Sequence, residues 1–368
     1  MENRPSSKFA TENSEIMFPL NLRNHLLAGG VIPALPLALD TQRHFSPRHE
    51  QALVRYYLAA GCSGLAVAVH STQFEIREPQ HGLLRPVLEL ASSVIDEELQ
   101  KAPRAFAKIA GVCGHTDQAL REVELARDLS YHAALVSVAA WKTEPESAIL
   151  EHCRRISEVL PIIGFSLQAT IGGRVFTPDF WRRFAAIENA VAIKIAPFNR
   201  FQTIDVVRAV AETGREDLAL YTGNDDSIVT DMLTPFRFAV GGRVVERRIV
   251  GGLLGHWGVW SRAAVELFQQ MKAAREHPSL KADWLATAVA VTDMNAAVFD
   301  PAHGFAGCIP GILEVLRRQG LIPTHLCLNP HETLSPGQAG ELDRVCAAYP
   351  HLIDDAFIAE HRERWLRP

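Results

Sequence analysis

Eight short runs of apolar residues recur between residues 31 and 254, each bounded by turn-forming or charged residues. Within the runs, apolar side chains follow one another instead of alternating with polar ones, which is typical of parallel strands covered on both faces. The pattern therefore predicts eight strands, at residues 31–39, 64–69, 106–112, 133–139, 161–167, 190–196, 218–223 and 248–254.

Stretches with helical periodicity separate these runs, and two of them begin with a recognisable cap. Ser46-Pro47 and Thr177-Pro178 each place a hydroxyl residue before a proline, which satisfies free backbone N–H groups and presets φ for the first turn. Strand and helix alternate over residues 30–260, so the sequence predicts an α/β fold, and eight such units predict a (β/α)₈ TIM barrel. A doubly wound sheet is the structural alternative.

The chain departs from a plain barrel in three places. A Gly-Gly pair between two alternating runs predicts a β-hairpin insertion around residues 236–249. Beyond the barrel, which we place at residues 26–260, residues 261–368 have helical character and are predicted to form a C-terminal helical region. Residues 1–25 are predicted to form a poorly anchored N-terminal arm.

The composition is that of an ordinary globular protein, with 48% hydrophobic and 21% charged residues over 368 positions. Thirty-seven Lys and Arg residues against 42 Asp and Glu residues leave a net charge of -5. No long basic run is present that could follow a phosphate backbone. We therefore expect no nucleic-acid partner.

Residues 1–27 lack the apolar core and the small-residue cleavage site of a secretory signal, and no apolar run reaches membrane-spanning length. The six cysteines stand singly, without the paired spacing of a zinc site. The sequence thus predicts a cytoplasmic protein with no membrane partner and no structural metal.

Lys194 carries the clearest chemical signal. In AVAIKIA (190–196) small and bulky residues alternate, so a strand turns the lysine to one side and Val191, Ile193 and Ile195 to the other. If the bulky side meets the helices, the lysine points into the barrel, where desolvation leaves part of its amine uncharged and able to attack a carbonyl. The alternative is a lysine near a strand end that reaches water or pairs with a carboxylate.

Several segments resemble the dihydrodipicolinate synthase and N-acetylneuraminate lyase family of Schiff-base barrels. Residues 30–69, from GVIPALPLALD to GLAVAV, are similar to its first βα unit, and ENAVAIKIA is similar to the sixth strand with its imine-forming lysine. PIIGFSL with the following IGGRVFTPDFWRRF is similar to the fifth-strand segment, and LYTGNDDSIV to the seventh-strand segment. The order and separation of these segments are consistent from Gly30 to Leu233.

The resemblance implies a lyase, aldolase or dehydratase that binds a 2-oxo acid, such as pyruvate or a sugar acid, as an imine on Lys194. It implies no metal or organic cofactor, and a homo-oligomer, either a dimer or a tetramer. By position, Ser71 and Thr72 correspond to the paired threonines that hold the substrate carboxylate. The alternative for this pair is a polar βα loop without a ligand.

Phe165 is the main departure from the family pattern, since the family has a proton-relaying tyrosine at this position. Phenylalanine has no proton to donate. The proton would then come from His70, Tyr221, His256 or a bound water.

By the same resemblance, Gly223, Asn224 and Asp225 would contact the hydroxyl groups of a sugar-acid tail, and Trp141 falls near a second family tyrosine. The alternative for the Asn-Asp segment is the capping of a helix N-terminus. Trp141 would alternatively form a wall of the pocket.

Two other functions remain open on the sequence. One is an altered or inactive family member that binds a 2-oxo acid or sugar acid without aldol chemistry, which Phe165 favours. The other is a different barrel enzyme in which His70 and His256 act as general acid and base and Lys194 is structural.

Overall fold

The structure is a computed structural model that describes residues 20–169 and 172–367. Residues 1–19 of the predicted N-terminal arm lie outside the described residues. The last residues of the arm, 22–25, belong to a helix. The described strands are β1 (Val31–Pro33), β2 (Gly64–Val67), β3 (Ala107–Val112), β4 (Ala133–Val136), β5 (Ile162–Leu167), β6 (Ala190–Ala196), β7 (Ala219–Thr222), β8 (Phe236–Val240), β9 (Arg243–Arg247) and β10 (Gly251–Leu254).

Eight of these strands form one parallel sheet in the order β1-β10-β7-β6-β5-β4-β3-β2. Its two edges meet, since Ala34 bridges Ala66 and the Leu35 N–H donates to the Ala66 carbonyl at 2.8 Å. The sheet is thus a nearly closed barrel, and the predicted (β/α)₈ fold is confirmed over the doubly wound alternative. All eight predicted strands are present, although the first pairs over only a few residues.

Helices follow the strands and cover the outside of the barrel. The described α-helices are α1 (Leu22–Ala28), α2 (Pro47–Ala60), α3 (Leu84–Lys101), α4 (Thr116–Asp128), α5 (Glu146–Ser157), α6 (Pro178–Ala185), α7 (Arg200–Thr213), α8 (Ile228–Leu233), α9 (Ser261–Ala274), α10 (Asp283–Phe299), α11 (Cys308–Arg318), α12 (Gln338–Ala348) and α13 (Asp355–Trp365). None of them has the length and apolar character that a membrane crossing requires.

The two predicted helix caps differ in the structure. The Thr177 hydroxyl accepts a hydrogen bond from the Phe180 N–H at 3.1 Å and caps α6. Ser46 makes no capping bond to α2, because its hydroxyl is paired with the His49 ring at 2.7 Å. The hairpin of β8 and β9 lies between α8 and β10, and its strands pair in antiparallel register.

The buried apolar residues form two clusters, one inside the barrel and one outside it. The interior cluster takes residues from all eight barrel strands and from Leu26 of α1, which closes the amino-terminal end. Ile193 and Ile195 lie in the outer cluster, as predicted. Val191 was expected beside them but lies inside, because the pairing of β5 with β6 skips this residue, as at a β-bulge.

The C-terminal helices pack on the barrel. The Tyr56 hydroxyl of α2 donates to the Asp354 carboxylate at 2.7 Å, and the Arg55 guanidinium donates to the Trp365 carbonyl at 2.8 Å. α10 and α11 reach the carboxyl ends of the strands. All six cysteines lie among the described residues, and none of them forms a disulfide.

A buried ion pair fixes the segment that follows β2. The Arg77 Nε donates to both carboxylate oxygens of Glu122 on α4 at 3.1 Å each, and its Nη2 donates to the carbonyls of Ala68 and Gly111 at 3.0 Å each. Because both side chains are less than a tenth exposed, neither charge has water as an alternative partner.

Replacing Arg77 by Met is therefore expected to lower the free energy of unfolding by about 3–5 kcal/mol, since it leaves the Glu122 carboxylate buried without its partner. Urea unfolding followed by circular dichroism measures the change. The exposed pair of Arg154 and Glu151 supplies the control, because Arg154→Met should cost less than about 1 kcal/mol. An equal loss in both variants would contradict this account.

Candidate functional site

A cavity of about 100 Å³ opens at the carboxyl ends of the barrel strands, the end at which barrel enzymes place their active sites. Most of its wall comes from segments at or just after β1, β2, β5, β6, β7 and β10, and the rest comes from α10, α11 and the loop between them. The lining residues are Ala34, Val69, His70, Ser71, Phe165, Leu167, Gln168, Lys194, Ala196, Phe198, Gly223, Asp225, Gly255, Phe299, Phe305, Cys308 and Ile312.

Lys194 points into this cavity from β6. Its neighbour across the β5–β6 pairing is Phe165, and the Lys194 Nζ lies 4.5 Å from the centroid of the Phe165 ring. Gly223 leaves the room that the lysine needs, since a Cβ at this position would lie 2.7 Å from the Lys194 Cε. The Lys194 amine therefore lies over the Phe165 ring beside the cavity, and the lysine is only partly exposed to solvent.

Burial lowers the pKa of Lys194 below its ordinary value of 10.5, and the negative charge of Asp225 partly offsets this effect. Asp225 is 5% exposed, and its Oδ1 accepts a hydrogen bond from the His256 backbone N–H at 3.2 Å. Burial raises the pKa of this carboxyl, while the charge of Lys194 opposes the rise. The cavity thus holds an amine and a carboxyl that are both shifted toward their uncharged forms.

The two hydroxyl residues after β2 differ in their placement. Ser71 lines the cavity. Thr72 does not line it, because its hydroxyl donates to the Leu35 carbonyl at 2.7 Å and accepts from the Val69 N–H at 3.2 Å. The expected pair is therefore reduced to one residue at the cavity wall.

Of the three side chains considered as proton donors, one borders the cavity. His70 is exposed at its rim, with its ring 6.0 Å from that of Phe74. The Tyr221 hydroxyl instead donates to the Leu26 carbonyl at 2.9 Å, at the closed end of the barrel. The His256 ring packs against Trp260 outside the cavity, and burial lowers its pKa to about 4.

The Asn224 side chain also points away from the cavity. Its carbonyl oxygen accepts a hydrogen bond from the Phe198 N–H at 2.9 Å, and its amide donates to the Thr203 hydroxyl at 3.0 Å and to the Asp231 carboxylate at 2.9 Å. Asp226 is exposed and does not line the cavity. The Asn224 side chain, which was expected to contact a ligand, is therefore held by protein groups.

Trp141 does not form a wall of the cavity either. Its indole N–H donates to the Gly114 carbonyl at 3.2 Å, and its ring packs 5.1 Å from that of His115 and 4.7 Å from that of His152. It belongs to the surface between β3, β4 and α5.

The C-terminal part of the cavity wall was not predicted from the sequence. The side chains of Phe299, Phe305, Cys308 and Ile312 border the cavity together with Phe198, which follows β6. Helical periodicity predicted α10 and α11 but not where they pack.

Among the described residues, no group of three or more His, Cys, Asp or Glu side chains could hold a metal ion.

Comparison with curated proteins finds local similarity to a 4-hydroxy-tetrahydrodipicolinate synthase from Alkaliphilus oremlandii. The two sequences are 29% identical over 145 residues, which is 39% of this chain and 48% of that protein. The chain therefore matches about half the length of this relative. No family model matches the sequence.

Solved structures with the same fold cover most of this chain. Dihydrodipicolinate synthase from Thermotoga maritima superposes with a TM-score of 0.69 at 19% identity, covering 88% of this chain and 99% of that one. N-acetylneuraminate lyase from Fusobacterium nucleatum in complex with pyruvate gives 0.67 at 15% identity, covering 88% and 98%. The chain thus shares local sequence similarity with a 4-hydroxy-tetrahydrodipicolinate synthase and the fold of dihydrodipicolinate synthase and N-acetylneuraminate lyase.

Proposed function

We propose that this protein is a Schiff-base-forming lyase or aldolase, or a dehydratase of the same type, that acts on a 2-oxo acid through Lys194. The observation that carries the proposal is the position of the Lys194 amine, beside a cavity at the carboxyl ends of the strands and with a lowered pKa. One structural neighbour is an N-acetylneuraminate lyase with bound pyruvate, which supports a 2-oxo acid as the ligand.

The proposed reaction begins with attack of the uncharged Lys194 amine on the C2 carbonyl. Protonation of the hydroxyl of the resulting carbinolamine and loss of water give an iminium ion, which accepts the electron pair of the bond that breaks at the neighbouring carbon. Ser71 is the proposed contact of the substrate carboxylate, since it lines the cavity. Holding the acid there would orient the carbonyl toward the amine.

Asp225 is our proposed proton carrier in place of the phenol that Phe165 lacks. Its carboxyl is buried on the cavity wall, interacts electrostatically with Lys194, and has a pKa raised by burial. Such a carboxyl can hold a proton near neutral pH and return it to carbon or oxygen. Tyr221 and His256 cannot do this directly, since neither lines the cavity.

The alternative is a binding protein that forms no C–C bond and breaks none. Phe165 supports it, because the ring beneath the Lys194 amine has no exchangeable proton. Measuring both the turnover of 2-oxo acids and their covalent trapping on Lys194 separates the two functions.

We also keep the predictions of a cytoplasmic protein and of a homo-oligomer as proposals. Leu285 and Val289, one turn apart on α10, are 67% and 68% exposed, and an exposed apolar face of this kind supports self-association.

Reduction with borohydride in the presence of pyruvate should attach the acid covalently to Lys194, because borohydride reduces an iminium to a stable secondary amine. Peptide mass spectrometry is expected to locate the added mass on Lys194 and to find none in Lys194→Ala. Lys142→Ala is the control, since Lys142 is exposed and outside the cavity, and it should label like the parent protein. Labelling that persists in Lys194→Ala would refute the imine.

The rate of trapping should rise with pH and reach half its maximum clearly below 10.5, because only the uncharged amine attacks and burial lowers the pKa of Lys194. Asp225, His70 and Cys308 are the other ionisable groups on the cavity wall. Initial rates of trapping measured between pH 6 and pH 11, at about ten values, test this expectation. A midpoint at or above that of an exposed lysine would show that the amine is not desolvated.

Asp225→Asn is expected to retain trapping but to lower turnover by roughly 10²–10⁴-fold, the usual contribution of general acid–base catalysis. Loss of the negative charge should also move the trapping midpoint to lower pH, since that charge raises the pKa of Lys194. Asp226→Asn is the matched control, because this neighbouring carboxylate is exposed and off the cavity. Unchanged turnover in Asp225→Asn would exclude Asp225 as the proton carrier.

A further inference from the structure

We infer that the site selects a 2-oxo acid whose carbon chain beyond C3 is apolar. The selecting surface, which we call the aromatic wall, consists of the rings of Phe198, Phe299 and Phe305 together with the aliphatic side chain of Ile312. The inference rests on the proposed function for its 2-oxo acid, and it names the class of substrate within that function. It replaces the sugar acid that the sequence suggested.

The aromatic wall is built around two phenylalanines from distant parts of the chain. Phe198 follows β6 and Phe305 lies between α10 and α11, and their rings meet edge to face with centroids 5.7 Å apart. Both residues have left-handed backbone conformations, with φ of 50° for Phe198 and 69° for Phe305. Bulky residues rarely adopt this conformation, and such strain concentrates at ligand-binding sites.

Hydrogen bonds hold both strained residues in place. The Asn224 side chain accepts from the Phe198 N–H. On the other side, the Asp300 carboxylate accepts from the Gly307 N–H at 3.1 Å and from the Ser335 hydroxyl at 2.5 Å. The loop that carries Phe305 is thereby fixed at both ends.

A buried amide from α12 strengthens this anchoring. The Gln338 Nε2 lies within hydrogen-bond distance of the carbonyls of Ala297, Val298 and Gly307, at 3.2, 3.1 and 3.0 Å. Gly255 makes room on the barrel side, since a Cβ there would lie 2.8 Å from the Phe299 ring. The aromatic wall is therefore a fixed surface, suited to select a ligand by shape and polarity.

Most of the cavity wall is apolar. Polar side chains come from Lys194, Ser71, Asp225, His70 and Gln168 among the lining residues, and the proposed imine, carboxylate and proton-transfer roles occupy the first three. Of the three residues expected to bind sugar hydroxyls, Gly223 and Asp225 line the cavity and Asn224 does not, and Gly223 has no polar side chain to offer. Hydroxyl groups placed against the aromatic wall would lose their hydrogen bonds to water without replacement.

The test compares three probes that share the carboxylate and the ketone: pyruvate, 4-methyl-2-oxopentanoate and 2-oxo-3-deoxygluconate. The concentration that gives half-maximal borohydride trapping should be roughly 10-fold lower for 4-methyl-2-oxopentanoate than for the sugar acid, in line with the selectivity of apolar pockets. Calorimetric binding to Lys194→Ala should give the same order without an imine.

Two variants remove the apolar surface while keeping the left-handed backbone, which asparagine tolerates. Phe305→Asn and Phe198→Asn should each abolish the advantage of 4-methyl-2-oxopentanoate over 2-oxo-3-deoxygluconate, so that the two acids reach half-maximal trapping at similar concentrations. Having two variants, each checked for thermal unfolding, guards against a misfolded protein. Phe201→Asn is the control, because Phe201 is 81% exposed and off the cavity.

The outcomes separate the two proposals. If pyruvate is trapped but the sugar acid saturates at an equal or lower concentration than 4-methyl-2-oxopentanoate, the apolar preference is refuted and the Schiff base stands. If no acid is trapped, the Schiff base is refuted. In that case equal calorimetric affinities of the apolar acid and the sugar acid would refute the apolar preference too.

Discussion

A lysine amine that is shielded from water binds its proton less tightly. This shielding of Lys194 from water is the constraint on which the site depends. The inward-facing side of β6 brings Lys194 to the mouth of the barrel, and the Phe165 ring covers one side of the amine. Asp225 acts in the opposite direction by favouring the ammonium form. The proposed imine chemistry requires that burial outweigh this attraction, so that a useful fraction of the amine is uncharged near neutral pH.

The same exclusion of water depends on parts of the chain beyond the barrel. α10, α11 and their loop cover the carboxyl ends of the strands and supply much of the apolar wall. Their anchoring through Asp300 and Gln338 links the C-terminal helical region to the environment of Lys194. A barrel without this region would leave the amine open to solvent, and its pKa would return toward the ordinary value.

The barrel and the direction of Lys194 were predictable because both follow from local patterns. Apolar runs separated by amphipathic helices indicate a parallel sheet, and the alternation of small and bulky residues in β6 turns the lysine inward. The bulge at Val191 was not predictable, since it arises from pairing with β5.

Other site residues could not be placed from sequence because proximity to a strand end does not fix the direction of a side chain. Thr72 and Asn224 lie in the expected loops, yet both satisfy nearby backbone groups. Phe305 was missed for a different reason: its contact with Phe198 joins segments far apart in the chain, and no local pattern reports such a contact.

The most direct test of the account is a crystal structure of the protein after borohydride reduction with pyruvate. The account predicts continuous density from the Lys194 Nζ to C2 of the acid, with the carboxylate beside Ser71 and the methyl carbon toward Phe198 and Phe305. A ligand bound without a covalent link, or an adduct on another lysine, would contradict it.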